Sequence, residues 1–533
     1  MMLHEWLAAM KARGAVAMMR GRAAMMIPRR SATLSGGACA LAMALAGDLH
    51  AQVELDSAKR AMIATLELDL ERAHAELDGA DASSEAIAIE RARLAIYEGE
   101  CDAAVAAIAA IDRTKNNEAA TLFEIATGCA RVTAANVVYL DEAQGVEIRF
   151  QDEFDLPIAP LLVETIAAAR ASIARDLGVT WPNPTRIALV RDHLSLSAMT
   201  GLPYESARTT GTIAVAKWGR VTMLSPRATR NGFGWRDTLA HELTHLAITR
   251  ATTDRAPLWL QEGVAKREET RWRAAGPFDD RPSPDAVSAR GIELGLALPL
   301  DKLGPSIAML PSADAALVAY AEVASFVRYF ASVSGDGAFA RLFASLRSGR
   351  NIEQALVETS GADLAEWNKR WRAWLAGQHH KALPLGFGLG EKKIPNARDT
   401  RERMRLAELL FGRSHATAAL RELDKISGEM AAADPSYRYL KGRVLDALGR
   451  RAEAEPLMQD AASVSSSQAA WWALRAKWHR AAGFYEEAAQ SLDEALGIDP
   501  LSEEVACDEA TLLSGWDLCA AAQERKEPAI GHE

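Results

Sequence analysis

The sequence predicts a multidomain chain: an α+β domain with its sheet first, flanked by all-α regions, the C-terminal one a small solenoid of helical repeats. Three observations carry this. Segments at 145–150, 185–190 and 211–223 read as strands and lead into helical sequence. On either side, apolar residues recur three and four apart, the pattern of packed amphipathic helices. Beyond residue 400, Gly449, Ala454 and Ala461 recur as Gly483, Ala488 and Ala495, an offset of 34 residues.

At 533 residues the chain is too long for one domain, and 49% hydrophobic with 25% charged residues is a globular balance rather than a disordered one. The net charge of −10, with no Lys/Arg stripe interleaved with aromatics, argues against a nucleic-acid partner. Five cysteines (Cys39, Cys101, Cys129, Cys507, Cys519) show no CxxC spacing, so neither a thiolate metal site nor a thioredoxin-like motif is indicated. Cys101 with Cys129, or Cys507 with Cys519, can form bridges if the chain is exported; buried or free thiols on helices fit equally well.

Residues 1–51 read as a targeting segment. Arg29-Arg30 precede the short apolar run Ser31 to Ala46, followed by Gly47-Asp48-Leu49-His50-Ala51 with a small residue before the break, as in a secretory signal. The expected destination is periplasmic or extracellular, with an uncleaved membrane anchor as second choice. The twin arginines permit a Tat signal, although the residues after them match that pattern poorly, and Met25 or Met26 stands at a more usual distance from the run. No segment after residue 51 is expected to cross a membrane.

Residues 52–135 are expected to be helical, with Ala92–Gly99 as helix and Gly turn before a second helix at Ala103 to Ile108. Residues 136–380 form the α+β domain. Gly145–Phe150 alternates as a half-buried strand, Ile158–Leu177 is a helix, Thr185–Val190 a strand after Pro182 and Pro184, and Gly211–Met223 a further strand. From Ala315 to Ala376 the chain is helical, and Trp367, Trp371 and Trp374 share a face suited to core packing. Residues 381–400 read as a linker; Gly386-Phe387-Gly388-Leu389-Gly390 lacks the ending of a phosphate-binding loop. Residues 401–520 hold the repeats and 521–533 a tail. The last repeat, Gly483 to Pro500, resembles the second half of a tetratricopeptide repeat (TPR); helical hairpins of this kind bury their faces by stacking.

The chemistry centres on His241-Glu242-Leu243-Thr244-His245. On a helix, a step of four residues returns to within about 40° of its starting direction, so both imidazoles reach one metal ion. Glu242 stands where its carboxylate contacts a metal-bound water, and Leu243 points into the core. Alone the motif is only moderately specific, since two ordinary histidines on a solvated helix satisfy it. The partner is Glu262, seventeen positions after His245 in Pro257-Leu258-Trp259-Leu260-Gln261-Glu262-Gly263-Val264-Ala265. An acidic group among Trp259, Leu260 and Val264 is costly to bury without a cation, and Gly263 lets two backbones approach. Asp237, one turn before His241, is a candidate second partner for the imidazole.

HELTH followed by WLQEGVA resembles the gluzincin metallopeptidases, and more narrowly the peptidase MA-like domains joined to TPR-like repeats, over roughly Val137 to Ala376. The resemblance implies one zinc ion per chain held by His241, His245 and Glu262. It further implies Glu242 as the catalytic base, Tyr320 as an oxyanion donor, and Gly211–Met223 as an edge strand that aligns a polypeptide substrate. Tyr329, half a helical turn from Tyr320, is excluded from that role. The repeats then offer a surface for a protein partner. Two other readings stay open: a zinc hydrolase of a non-peptide substrate, and a TPR scaffold whose zinc domain is structural or inactive.

Overall fold

The computed structural model describes residues 53–81, 83–229, 232–276, 279–304, 306–335, 337–384, 387–390, 397–426, 434–462, 468–508, 511 and 518–524. The expected targeting segment, Cys39 and most of the tail lie outside these residues.

Helices α1 (53–66), α2 (Leu70–Leu77), α3 (Glu85–Glu98), α4 (Cys101–Ala107) and α5 (Asn117–Thr133) build the N-terminal region. Gly99, at φ 83°, makes the left-handed turn between α3 and α4. Both proposed cysteine pairs are bridged: Cys101 to Cys129 joins α4 to α5, and Cys507 pairs with Cys519.

Five strands follow: β1 (Val137–Asp141), β2 (Val146–Phe150), β3 (Thr185–Val190), β4 (Ala214–Lys217) and β5 (Arg220–Leu224), in the order β1-β2-β3-β5-β4. The central β2, β3 and β5 are parallel, and β1 and β4 are antiparallel edges. Helix α6 (Ala159–Leu177) crosses from β2 to β3; α7 (His193–Thr200) and α8 (Tyr204–Thr210) connect β3 to β4. Ile148, Ile187 and Val221 align across the strands and lie fully buried in the core that holds α6. The expected single strand Gly211–Met223 is instead a hairpin. Its turn, Trp218-Gly219, takes positive φ at both residues (55° and 70°), as a tight two-residue connection requires. Trp-Gly lacks the usual Asn-Gly signature, so unbroken β-propensity masked the turn.

The helical half comprises α9 (Trp235–Thr252), α10 (Leu258–Glu268), α11 (Pro284–Glu293), α12 (Ala313–Ser334), α13 (Gly337–Arg347), α14 (Ile352–Ser360) and α15 (Leu364–Ala376). The segment read as continuously helical from Ala315 is thus four helices, one of them ended by left-handed Gly361. Trp367 and Trp371 are buried against Phe330 and Phe326, and Tyr329 packs on Trp367 and Trp374. Contrary to the sequence expectation, two helices, Glu153–Leu177 and Ala313–Ser334, are long and apolar enough to cross a membrane. More than half of each apolar window is buried inside the protein. Their hydropathy comes from packing on two sides rather than one.

Within the segment read as a linker, Leu389 is buried beside Val287 and Val318 of α11 and α12. Beyond it, α16 (Ala397–Gly412) and α17 (Ala416–Leu423), α18 (Pro435–Ala447) and α19 (Arg451–Ala462), and α20 (Ala469–Ala481) and α21 (Tyr485–Leu496) form three helix pairs. The last two pairs have matching lengths and matching positive-φ glycines, Gly449 and Gly483. Trp478 Nε1 donates to Asp446 at 3.0 Å, tying one pair to the next.

Candidate metal centre

Helix α9 carries the histidines through the middle of the molecule. Leu239, Leu243, Leu246 and Ala247 are buried in the core, as expected for Leu243, which leaves His241 and His245 on the opposite side, against α10. Helix α10 starts at Pro257 and is anchored by Trp259, Leu260 and Val264, all buried. This packing turns Glu262 back onto α9. On the other side of α10, Gly263 lets that helix lie close against α12, because a Cβ there would stand 2.7 Å from the Val323 carbonyl of α12.

The result is a three-donor cluster. His241 Nε2 and His245 Nε2 are 3.2 Å apart, and Glu262 Oε2 lies 3.4 Å from the first and 3.5 Å from the second. An ion bound tetrahedrally at ~2.0–2.1 Å from N and O ligands needs donors about 3.3 Å apart. The triangle therefore has the edge lengths of one face of a zinc tetrahedron. Glu262 Oε2 is buried without a hydrogen-bond partner, which an ion at that face corrects.

The opposite ring nitrogens are engaged. His241 Nδ1 lies 3.2 Å from Glu269 Oε2, and His245 Nδ1 lies 3.2 Å from Gln261 Oε1. Both acceptors place the ring proton on Nδ1 and leave Nε2 for a metal. Lys266 Nζ in turn donates to both Glu269 oxygens, at 2.6 and 2.8 Å. Asp237 does not fill the role expected of it. It accepts from Trp272 Nε1 and pairs with Arg273, the residues its position on α9 faces. Glu269 lies seven residues after Glu262, two turns on along the same line, and that spacing was the available signal for it.

The electrostatics follow. Burial alone would lower the His241 pKa, but Glu262, Glu269 and Glu242 around it raise it to about 10; His245 is raised for the same kind of reason. Burial pushes Glu262 up, yet the two imidazoles hold it well below the usual carboxylate range. Glu269 falls to about 2, burial being outweighed by Lys266 and His241. The cluster thus favours positive charge at its centre.

Glu242 is buried outside the triangle. Burial raises its pKa, tempered by both histidines, and its Oε2 accepts the Ala216 N–H of edge strand β4 at 2.6 Å. Tyr320, on α12, stands near enough to Glu262, Glu242 and Glu269 for their charges, added to burial, to raise its hydroxyl well above the usual value. It stays protonated, a donor. Of the residues singled out in the sequence, His241, Glu242, His245, Glu262 and Tyr320 come together here, Asp237 does not, and Tyr329 belongs to the tryptophan cluster.

Residues 165–377 match the peptidase MA superfamily model. That span runs from within α6 to the end of α15 and includes the whole cluster. It supports a peptidase MA-like domain and, at that level, a peptidase-type hydrolase. No curated protein and no solved structure matches the chain.

Proposed function

We propose that the peptidase MA-like domain is a zinc-dependent metallopeptidase, with one zinc per chain held by His241, His245 and Glu262. The observation that carries this is the triangle of donor atoms at 3.2–3.5 Å with an unpartnered buried carboxylate oxygen in it and Glu242 beside it. A purely structural site has no use for that fourth group.

Zinc bound there supplies a Lewis acid and an acidified water. Glu242, its pKa raised by burial, takes the proton of the attacking water and delivers it to the leaving amine. The neutral Tyr320 hydroxyl donates to the oxygen on which negative charge develops. Peptide as substrate is favoured by the open edge. In the β4–β5 register Ile213 bonds to Leu224, so Ala214 and Ala216 turn their backbone groups away from β5; with the Ala216 N–H held by Glu242, the outward groups are the Ala214 N–H and C=O and the Ala216 C=O. An extended chain can add to them as a strand.

The TPR-like pairs of 401–520 are read as a docking surface for a polypeptide partner or substrate, and the two bridged cysteine pairs support an oxidising, exported setting. The test is Glu242→Gln in the full chain, assayed on an unfolded polypeptide with zinc measured in parallel. Hydrolysis is expected to fall by at least ~10² while one zinc per chain remains. Parent-like turnover by that variant defeats the mechanism.

A further inference from the structure

The strand that holds Glu242 is an edge. β4 is bonded to β5 along one side, and on the other its Ala216 N–H meets Glu242 at 2.6 Å. Its position is therefore sensitive to what packs on the Trp218-Gly219 turn beyond it. That packing comes from the N-terminal helices, which lie outside the residues 165–377 that match the superfamily model.

Three contacts make the grip. Tyr97, in the last turn of α3, lies on the turn itself: a Cβ on Gly219 would stand 2.6 Å from Tyr97 Cδ1 and 3.2 Å from Leu68 Cδ2. Tyr97 also meets the Trp218 indole edge-on, with ring centroids 6.1 Å apart, and Trp218 packs in turn against the cluster that holds Ile96 and Leu122. Below the turn, Arg220 of β5, the register partner of Lys217, donates to the Cys129 sulfur of α5 at 3.7 Å. Leu68, Tyr97 and Cys129 share one buried core with Val221, Met223 and Leu243.

The same helices hold the metal helix. Glu67 accepts from Thr253 Oγ1 at 3.3 Å, and Thr253 caps the end of α9 with φ 52°. Arg347 of α13 reaches Glu67 at 2.7 Å and donates to the Arg250 carbonyl of α9 at 2.9 Å. Glu67 and Leu68 are consecutive, so one short turn between α1 and α2 touches both α9 and the hairpin.

We propose that the N-terminal helices are a positioning clamp for the base: they hold the hairpin turn and the end of α9 together, and so keep the Ala216 N–H where it orients Glu242. Tyr97 is the positioning residue through which the clamp acts. Its effect on catalysis rests on Glu242 being the base; the clamp itself does not. A misplacement of about 1 Å costs on the order of 10² in rate.

Hydrogen exchange read by mass spectrometry on the full chain, with zinc added, tests the clamp without catalysis. Peptides covering 212–219 should exchange ~10-fold faster or more in Tyr97→Leu than in the parent, with exchange over 235–252 and zinc content unchanged. Tyr97→Phe, which keeps the ring, should restore parent rates. Hydrolysis of an unfolded polypeptide should fall ~10-fold or more in Tyr97→Leu and recover in Tyr97→Phe. If Tyr97→Leu does not fold, Leu68→Ala removes the other contact on Gly219 and gives the comparison. Parent-like exchange at 212–219 in a folded variant, or faster exchange spread evenly along the chain, overturns the clamp. A loosened hairpin with parent-like hydrolysis overturns its positioning role. A parent without hydrolysis would instead count against Glu242 as base, with the exchange result still deciding the clamp.

Discussion

Glu269 stands outside the donor triangle, yet its Oε2 lies 3.2 Å from His241 Nδ1, where it orients the ring and raises its basicity. Glu269→Gln keeps the shape and removes the charge. Zinc affinity in chelator competition is expected to fall ~10–100-fold; unchanged affinity would remove Glu269 from the site. A second buried acid behaves differently. Glu322 is fully buried on α12, accepts the Leu298 N–H at 3.2 Å, and has Arg372 3.6 Å away. Burial outweighs both and pushes its pKa up from 4.5 to about 7. The folded chain therefore holds this proton more tightly than the unfolded one. The associated stability is fully present below about pH 4.5 and is lost as the pH rises through 7. Glu322→Gln, which never ionises, should gain on the parent by up to ~3 kcal/mol between pH 5 and pH 8 in denaturant titrations. A gap independent of pH would show that the carboxyl is protonated throughout or is relieved by water.

Helices α10 and α12 meet at Gly263, and the ligand Glu262 depends on that contact. A valine there would need room already held by Val327 Cγ2 and the Val323 carbonyl. Gly263→Val is expected to cost ~1–3 kcal/mol and to weaken zinc binding as Glu262 is displaced. Gly234→Ala, where nothing lies within 4 Å of the added carbon, is the control. Calorimetry with metal titration checks both, and parent-like values for Gly263→Val would show that α12 can move aside. Part of this element-level arrangement is legible in the sequence: HELTH, and the WLQEGVA helix with a glycine that admits a close neighbouring backbone. The turn at Trp218-Gly219 is not, because its backbone conformation is imposed by strand pairing rather than by a turn-forming pair of residues.

Among the described residues the largest hydrophobic cluster runs from Leu68 to Ala522, through the sheet, the helices of the candidate centre and the C-terminal helix pairs, while smaller clusters hold the N-terminal helices and the 381–390 side of α11 and α12. The C-terminal pairs join α9 through backbone: Phe233 N donates to Ile498, Trp235 N to Gly497, and the Trp235 indole to Leu496 at 2.8 Å. Arg236 adds a 2.6 Å pair with Asp493. The start of the metal helix is thus capped by the end of α21 rather than by a side chain of its own. A chain so joined should melt in a single cooperative transition. Stripping the metal with a chelator should lower that transition as a whole, including the fluorescence change from Trp471 and Trp472 in the repeats. Separate transitions, or a repeat signal indifferent to the chelator, would contradict this coupling.

By itself the sequence located the candidate donor set and the helices that carry it, since a four-residue step and a carboxylate among apolar neighbours are local facts that translate directly into geometry. It also located β2, β3 and the segment of β4 and β5, but not β1 or the helices α7 and α8 between the strands. Only the tertiary structure decided what surrounds the ligands: Glu269 and Gln261 on the imidazoles, the Ala216 N–H on Glu242, the N-terminal helices closed on the hairpin turn, and the repeats seated on Trp235. Each of these depends on contacts between segments distant along the chain, and packing of the whole core, not local periodicity, sets which of them meet.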